Sequence, residues 1–258
     1  MKTLILSMSP RKSFSASMYY SRMLKFFMRK GTVELQELKT QKQYLSVLDK
    51  LDEIDNLVLV SPVYVDTIPS TVLEKLVKLE EYTKDKKLNI NLYTITNCGF
   101  YEPQQGELAQ KTFENWSEKC NFNFKGGLSI GAGVMLAFIR TLIPIGIVLT
   151  LIETIIFGLI ALFTNGTITI NDLLHVSTTL LVHIVLYILW SIGLFIASFK
   201  MAKEVNKSKQ MGIKYVTLWF CPRFMFVIIA SIYWIIASIF WYKGKFWRIL
   251  KEPNIKIK

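Results

Sequence analysis

The sequence predicts an α/β protein, with a doubly wound parallel sheet of five strands in residues 1–137 followed by an α-helical membrane region in residues 138–258. Three observations predict it. Short, partly β-branched apolar runs alternate with helix-spaced segments through the first half. The composition then shifts abruptly, and beyond the shift lie two long runs almost free of charge. A chain of 258 residues has room for one α/β core and a second region, since single cores commonly take roughly 100–200 residues.

Strand-like runs occupy Thr3–Leu6, Val33–Leu38, Leu57–Val60, Ile90–Ile95 and Leu128–Ile130. They are short and partly β-branched, as strands buried on both faces tend to be. Helical spacing occupies about 15–30, 44–51, 70–82 and 105–120, between those runs. Such alternation implies βαβ units and a parallel sheet, and the strand order 2-1-3-4-5, the flavodoxin-like one, is the simplest that fits.

After residue 138 the pattern is that of lipid. Thr141–Thr164 is 24 residues with Glu153 its one charge, and Leu173–Phe199 is 27 residues with none. Both exceed the ~20 residues that cross hydrocarbon, so two transmembrane helices are expected, about 141–164 and 173–199. A third apolar run, about 215–242, either spans or is re-entrant, because a third crossing would place the basic tail after residue 242 on the far side, against the positive-inside tendency. Glu153 is expected either as a functional carboxylate or turned towards the partner helix.

Charge is as uneven as hydropathy. Residues 1–137 hold 18 Lys/Arg against 15 Asp/Glu, and residues 138–258 hold 13 against 4, so +9 of the net +12 sits in the second part. There the cations flank apolar runs, which suits anionic headgroups and argues against nucleic acid as a partner. The opening Met1–Lys12 has an apolar run too short for a secretory signal. The expected location is therefore the cell membrane, multi-pass, with the α/β domain on the cytoplasmic face. Cys98, Cys120 and Cys221 are far apart in the sequence, so no zinc or iron–sulfur site is expected from this chain, and no other metal site is predicted.

In a doubly wound sheet, ligands bind where loops leave the carboxyl ends of strands at the switch in strand order. Three segments fall there. Ser9, Arg11, Lys12, Ser13, Ser15 and Ser17 lie between the first strand and the first helix, where hydroxyls, backbone N–H groups and a helix N-terminus together form a phosphate cradle. Pro62, Val63, Tyr64 and Val65 follow the third strand, with an aromatic ring able to stack on a planar ligand. Asn97, Cys98, Gly99 and Tyr101 follow the fourth.

Taken in order, Ser9-Pro10-Arg11-Lys12, Ser61-Pro62-Val63-Tyr64 with Pro69, Asn97-Cys98-Gly99-Phe100-Tyr101-Glu102 and the glycines from Gly126 to Gly133 resemble the flavodoxin-like NAD(P)H-dependent oxidoreductases related to NADPH-dependent FMN reductases. The resemblance covers about residues 1–137. It implies FMN as cofactor, with its phosphate on the first segment and its ring between the second and third. It also implies NADH or NADPH as co-substrate and a homodimer. Tethering adds the lipid bilayer and a quinone or membrane partner as acceptor. Hydride transfer needs orientation more than acid–base groups, so no catalytic side chain is assigned. The sequence departs from the family at Met8, where glycine is usual, and at Ala16. Those departures leave a second expectation open: a flavin-free binding or regulatory module anchored to a membrane assembly.

Overall fold

The computed structural model describes residues 1–11, 15–86, 88–165, 170–218 and 222–241. The chain divides into two units, Met1–Leu218 and Trp219–Lys258. In the first, β1 (Lys2–Ser7), β2 (Thr32–Glu37), β3 (Asn56–Pro62), β4 (Asn91–Asn97), β5 (Asn123–Gly131) and β6 (Gly212–Thr217) form one parallel sheet in the order 2-1-3-4-5-6. The first five strands keep the flavodoxin-like order, and the expected count of five is corrected to six. β6 lies in a stretch that the sequence reading had divided between a basic loop and the start of the third apolar run.

Helices α1 (Ala16–Phe27), α2 (Gln41–Leu51), α3 (Ser70–Thr83) and α4 (Glu107–Lys119) connect the strands. Their starts follow from local chemistry. The Ser15 hydroxyl caps α1 by accepting from Met18 N. Thr40 and Gln43 form a capping box on α2 that satisfies two otherwise unpaired donors. β3 is buried along its whole length because both faces are covered. On one face Leu57 and Leu59 meet Val72, Leu76 and Phe113 of the main core. On the other lie α1 and the end of α6.

That second cover is unusual in its route. From β5 the chain enters α5 (Val134–Asn165), turns, and returns in α6 (Ile170–Val205) before reaching β6. Leu194, Ala197, Met201, Ala202 and Val205 of α6 are buried, and the Phe27 ring meets those of Phe195 and Phe199 edge to face. Asn56 Nδ2 donates to Thr3 Oγ1 and to the Val205 carbonyl, Ser208 Oγ donates to Asn56 Oδ1, and Tyr93 OH donates to the Lys209 carbonyl. The end of α6 is thus bonded to the sheet at the strands' amino ends. β6 then runs beside β5 from Gly126↔Gly212 to Gly131↔Thr217. Gly126, at φ +102°, is required there, since a Cβ would collide with the Gly212 backbone.

Among the described residues no helix is long and apolar enough to cross a membrane. The crossings expected at 141–164, 173–199 and 215–242 are therefore not established by the fold. Yet α5 carries its apolar residues outward: Ile145, Leu149, Ile152, Ile156, Leu159 and Phe163 are all exposed. Glu153 is exposed as well. The hydroxyls of Thr150 and Thr154 are satisfied within the helix, by the Gly146 and Thr150 carbonyls. The second unit contains α7 (Arg223–Trp241). Of the third apolar run, residues 219–221 and 242 lie outside the described residues, as does the basic tail that follows.

Candidate functional site at the carboxyl end of the sheet

The three predicted segments leave β1, β3 and β4 at one end of the sheet, a consequence of its all-parallel order. Asn97 ties them together. Its Nδ2 donates to Ser17 Oγ at the start of α1 and to the Ser61 carbonyl in β3, both at 3.0 Å. The Val63 N–H in turn donates to the Asn97 carbonyl at 2.8 Å. Ser17 and Asn97 are both buried, so their side chains hold the crevice walls in register.

In the first segment, Ser9 and Ser15 are buried and Arg11 is exposed. Arg11 N donates to Ser9 Oγ at 3.4 Å, folding the loop back on itself. α1 has no acidic residue in its first turn, so nothing in the helix opposes an anion at its N-terminus. Lys12 and Ser13 lie outside the described residues. Met8, where the family has glycine, is fully buried in the main core, with its N–H donating to the Val60 carbonyl. Its side chain is thereby accounted for on the face opposite α1.

The second segment is a tight turn. Tyr64 and Thr67 exchange two backbone hydrogen bonds, and Val65 and Asp66 between them sit at φ +51° and +62°. Two left-handed residues in succession define a type I′ turn, which favours Asn and Gly. A β-branched valine there is strained by roughly 1–2 kcal/mol. The turn leaves Val65 93% exposed and Tyr64 41% exposed, while Val63 and Pro62 remain buried.

In the third segment the Cys98 carbonyl accepts from Gly133 N at 2.8 Å, and the Phe100 carbonyl accepts from Ala132 N. This loop is therefore bonded directly to the start of α5. Cys98 itself is buried, and burial pushes its thiol up to about 11, which disfavours the thiolate. A Cβ on Gly99 would meet nothing within 4 Å: the space above it is open. Phe100 is 63% exposed. The Tyr101 carbonyl accepts from Thr217 Oγ1 at 3.3 Å, joining the loop to β6.

Sequence reasoning missed some residues of this end. Asp66 sits at the tip of the turn; Phe100, quoted in the third motif but given no site role, is an exposed aromatic of that loop. Beneath them, the Tyr20 hydroxyl and Ser7 Oγ are buried with no partner among the described residues, and burial raises the Tyr20 pKa. Only the helical spacing of α1, which turns Tyr20 to the sheet, could have flagged it.

The donor set suits a phosphate, with Ser9, Arg11 and Ser15 beside a helix N-terminus that no acidic residue opposes, and the backbone at Gly99 is open to an approaching ligand. No family model matches the chain, and no curated protein matches it. Solved structures do. The Trp repressor binding protein from Bacillus subtilis is 14% identical, over 51% of this chain and 84% of its own, with a TM-score of 0.41. An NADPH-quinone reductase from P. pentosaceus is also 14% identical, over 51% and 86%, at 0.42. The NAD(P)H:quinone oxidoreductase from Methanothermobacter marburgensis is 14% identical over 51% and 84%, again at 0.42. At such identities and scores the likenesses do not decide what this chain does.

Proposed function

We propose that the chain is a membrane-anchored, NAD(P)H-dependent FMN oxidoreductase that passes electrons to a quinone or another acceptor. The observation that carries this is the convergence of the three strand-end segments, pinned by Asn97, around the open floor at Gly99. Ser9, Arg11, Ser15 and the N-terminus of α1 would hold the phosphate. Tyr64 and Phe100 would flank the ring and exclude water from it. What the bound group supplies is two-electron redox chemistry between a nicotinamide and an acceptor. The protein's part is orientation and shielding, which is why no acid–base dyad is needed.

Support for anchoring comes from sequence and surface together. The run 141–164 has a single formal charge. Its helix exposes apolar side chains on a scale that water does not tolerate on an isolated pair of helices. The lysine-rich stretch 200–214 next to the sheet suits the cytoplasmic face. A homodimer across the crevice fits the family resemblance.

Full-length protein purified in mild detergent with FMN supplied is expected to be yellow and to bleach on addition of NADPH. A colourless protein that takes up no FMN would overturn the redox function and leave the anchored binding module.

A further inference from the structure

We propose that the Tyr64–Thr67 turn and the Gly99–Tyr101 loop rest in the headgroup layer of the bilayer, so that the crevice opens onto the membrane surface and takes a lipid-soluble acceptor of the quinone class. This rests on the proposed function and names the acceptor's route.

The direction of the α5–α6 hairpin is the first ground. α5 leaves from the Gly99–Tyr101 loop, through the bonds of Ala132 and Gly133 to Phe100 and Cys98. α6 comes back past the last residue of β6, where a Cβ on Gly193 would lie 3.7 Å from the Thr217 carbonyl oxygen. Below that level α6 is buried on the sheet, and above it stand residues 170–192. Those 23 residues rise about 34 Å at ~1.5 Å each, close to the ~30 Å of a hydrocarbon core. If the hairpin fills the bilayer, the lipid surface falls at the carboxyl end of the strands.

The second ground is what that end displays. Val65 and Phe100 are its most exposed large apolar side chains, at 93% and 63%, and Arg11 and Asp66 are exposed near them. Val65 is held out by a strained turn, and strain of this kind collects at ligand clamps. In water an exposed valine on a strained turn gains nothing; at a lipid surface its burial offsets the cost. Asp66 beside it sets a limit, since a carboxylate cannot follow valine into hydrocarbon. Contact is therefore shallow. The opposite end of the sheet displays ion pairs, Lys2–Glu53 and Lys86–Asp52 among them, as a surface turned to water does.

The test uses the full chain in phosphatidylcholine–phosphatidylglycerol vesicles, with an environment-sensitive fluorophore on one introduced cysteine at a time: V65C, F100C, I155C in α5 and E53C at the far end. Wild-type protein carried through the labelling serves as the blank. Probes at 65 and 100 are expected to be quenched several-fold more by lipids spin-labelled near the headgroup than by iodide, and little by lipids labelled at the chain end. The probe at 155 should respond to the deep label, and the probe at 53 to iodide alone. If 155 is lipid-quenched but 65 and 100 respond only to iodide, the proposal is overturned while anchoring stands. If 155 responds only to iodide, anchoring falls, and the proposal with it. If 65 and 100 are lipid-quenched while unlabelled wild-type protein takes up no FMN, the membrane contact holds and the quinone acceptor is overturned.

Discussion

The two ends of the parallel sheet carry opposite surfaces. At the amino end, Lys2 meets Glu53 at 2.8 Å, Lys86 meets Asp52 at 2.8 Å, and the N-terminal amine meets Asp55 at 3.7 Å. These pairs face solvent, so each adds little to stability, and their effect is to keep that end wetted. At the carboxyl end of β3 and β4 the exposed tips are Tyr64, Val65 and Phe100. Beneath them a buried layer, Ser7, Ser17, Tyr20 and Asn97, is polar where a core is normally apolar. One end displays ion pairs, whereas the other keeps hydrogen bonds inside and exposes apolar and aromatic side chains beside Arg11 and Asp66. The difference teaches that function in this molecule is placed by strand direction, because every strand delivers its following loop to the same end.

The largest expected effect contrasts a core with an outward helix face. Phe113→Ala, at a fully buried position, is expected to cost about 3–5 kcal/mol by denaturant titration of the α/β unit in the full chain. Ile155→Ala, on the exposed face of α5, should leave that transition unmoved. Equal losses would erase the distinction between the two regions.

Next comes the pin of the crevice. Asn97→Ala strands the Ser17 hydroxyl and the Ser61 carbonyl inside the fold, and about 2–3 kcal/mol should be lost. FMN retention on gel filtration should fall with it. Unchanged stability would mean that the three loops are held by something other than this amide.

A smaller and opposite effect is expected at Val65→Gly. Removing the Cβ relieves the left-handed valine, and the gain, net of glycine's greater freedom when unfolded, is at most about 1 kcal/mol. The readout is a rise in the thermal midpoint, and a fall would show that the turn is not strained.

The last is a pH dependence. Burial raises both Cys98 and Cys120 to about 11 from an ordinary 9.0. A thiol whose pKa is higher folded than unfolded favours the native state while it stays protonated. Its contribution is full below pH 9 and is lost as pH climbs towards 11. Wild-type protein should therefore lose thermal stability across that window more steeply than the C98S/C120S double variant. Parallel curves would place both thiols in water.

Much of the α/β part was legible in the sequence because strands covered on both faces are mostly apolar, as Leu57–Val60 is throughout and Ile90–Ile95 is at four of its six positions. α2 was expected only from residue 44, although the Thr40–Gln43 capping box starts it at Gln41. β6 was not legible: Gly212–Thr217 has a lysine and a tyrosine that remain exposed at the sheet edge, and nothing local says that it pairs with β5. The buried end of α6 was hidden for a similar reason. Met201, Ala202 and Val205 are interleaved with Lys200, Lys203 and Glu204, a pattern that reads as a loop until a sheet supplies the other half of the contact. At the candidate site, the three segments named from the sequence meet at one end of the sheet. The sequence did not reveal that Ser17 and Asn97 bond to each other, nor that Met8 turns into the core.

By itself, the sequence determined the alternation of buried strands and amphipathic helices, the strand-end positions of the serine, tyrosine and asparagine segments, and the abrupt change to uncharged runs. Periodicity and charge are local properties, and a chain displays them unfolded. Only the tertiary structure decided that α6 and β6 complete the sheet, that one amide binds three loops together, and that the apolar hairpin leaves from the very end where those loops meet. Those outcomes depend on groups 30 to 150 residues apart in the chain, such as Asn56 with Val205 and Ser17 with Asn97, and a hydrogen bond at that separation exists only after the sheet has brought its two halves together.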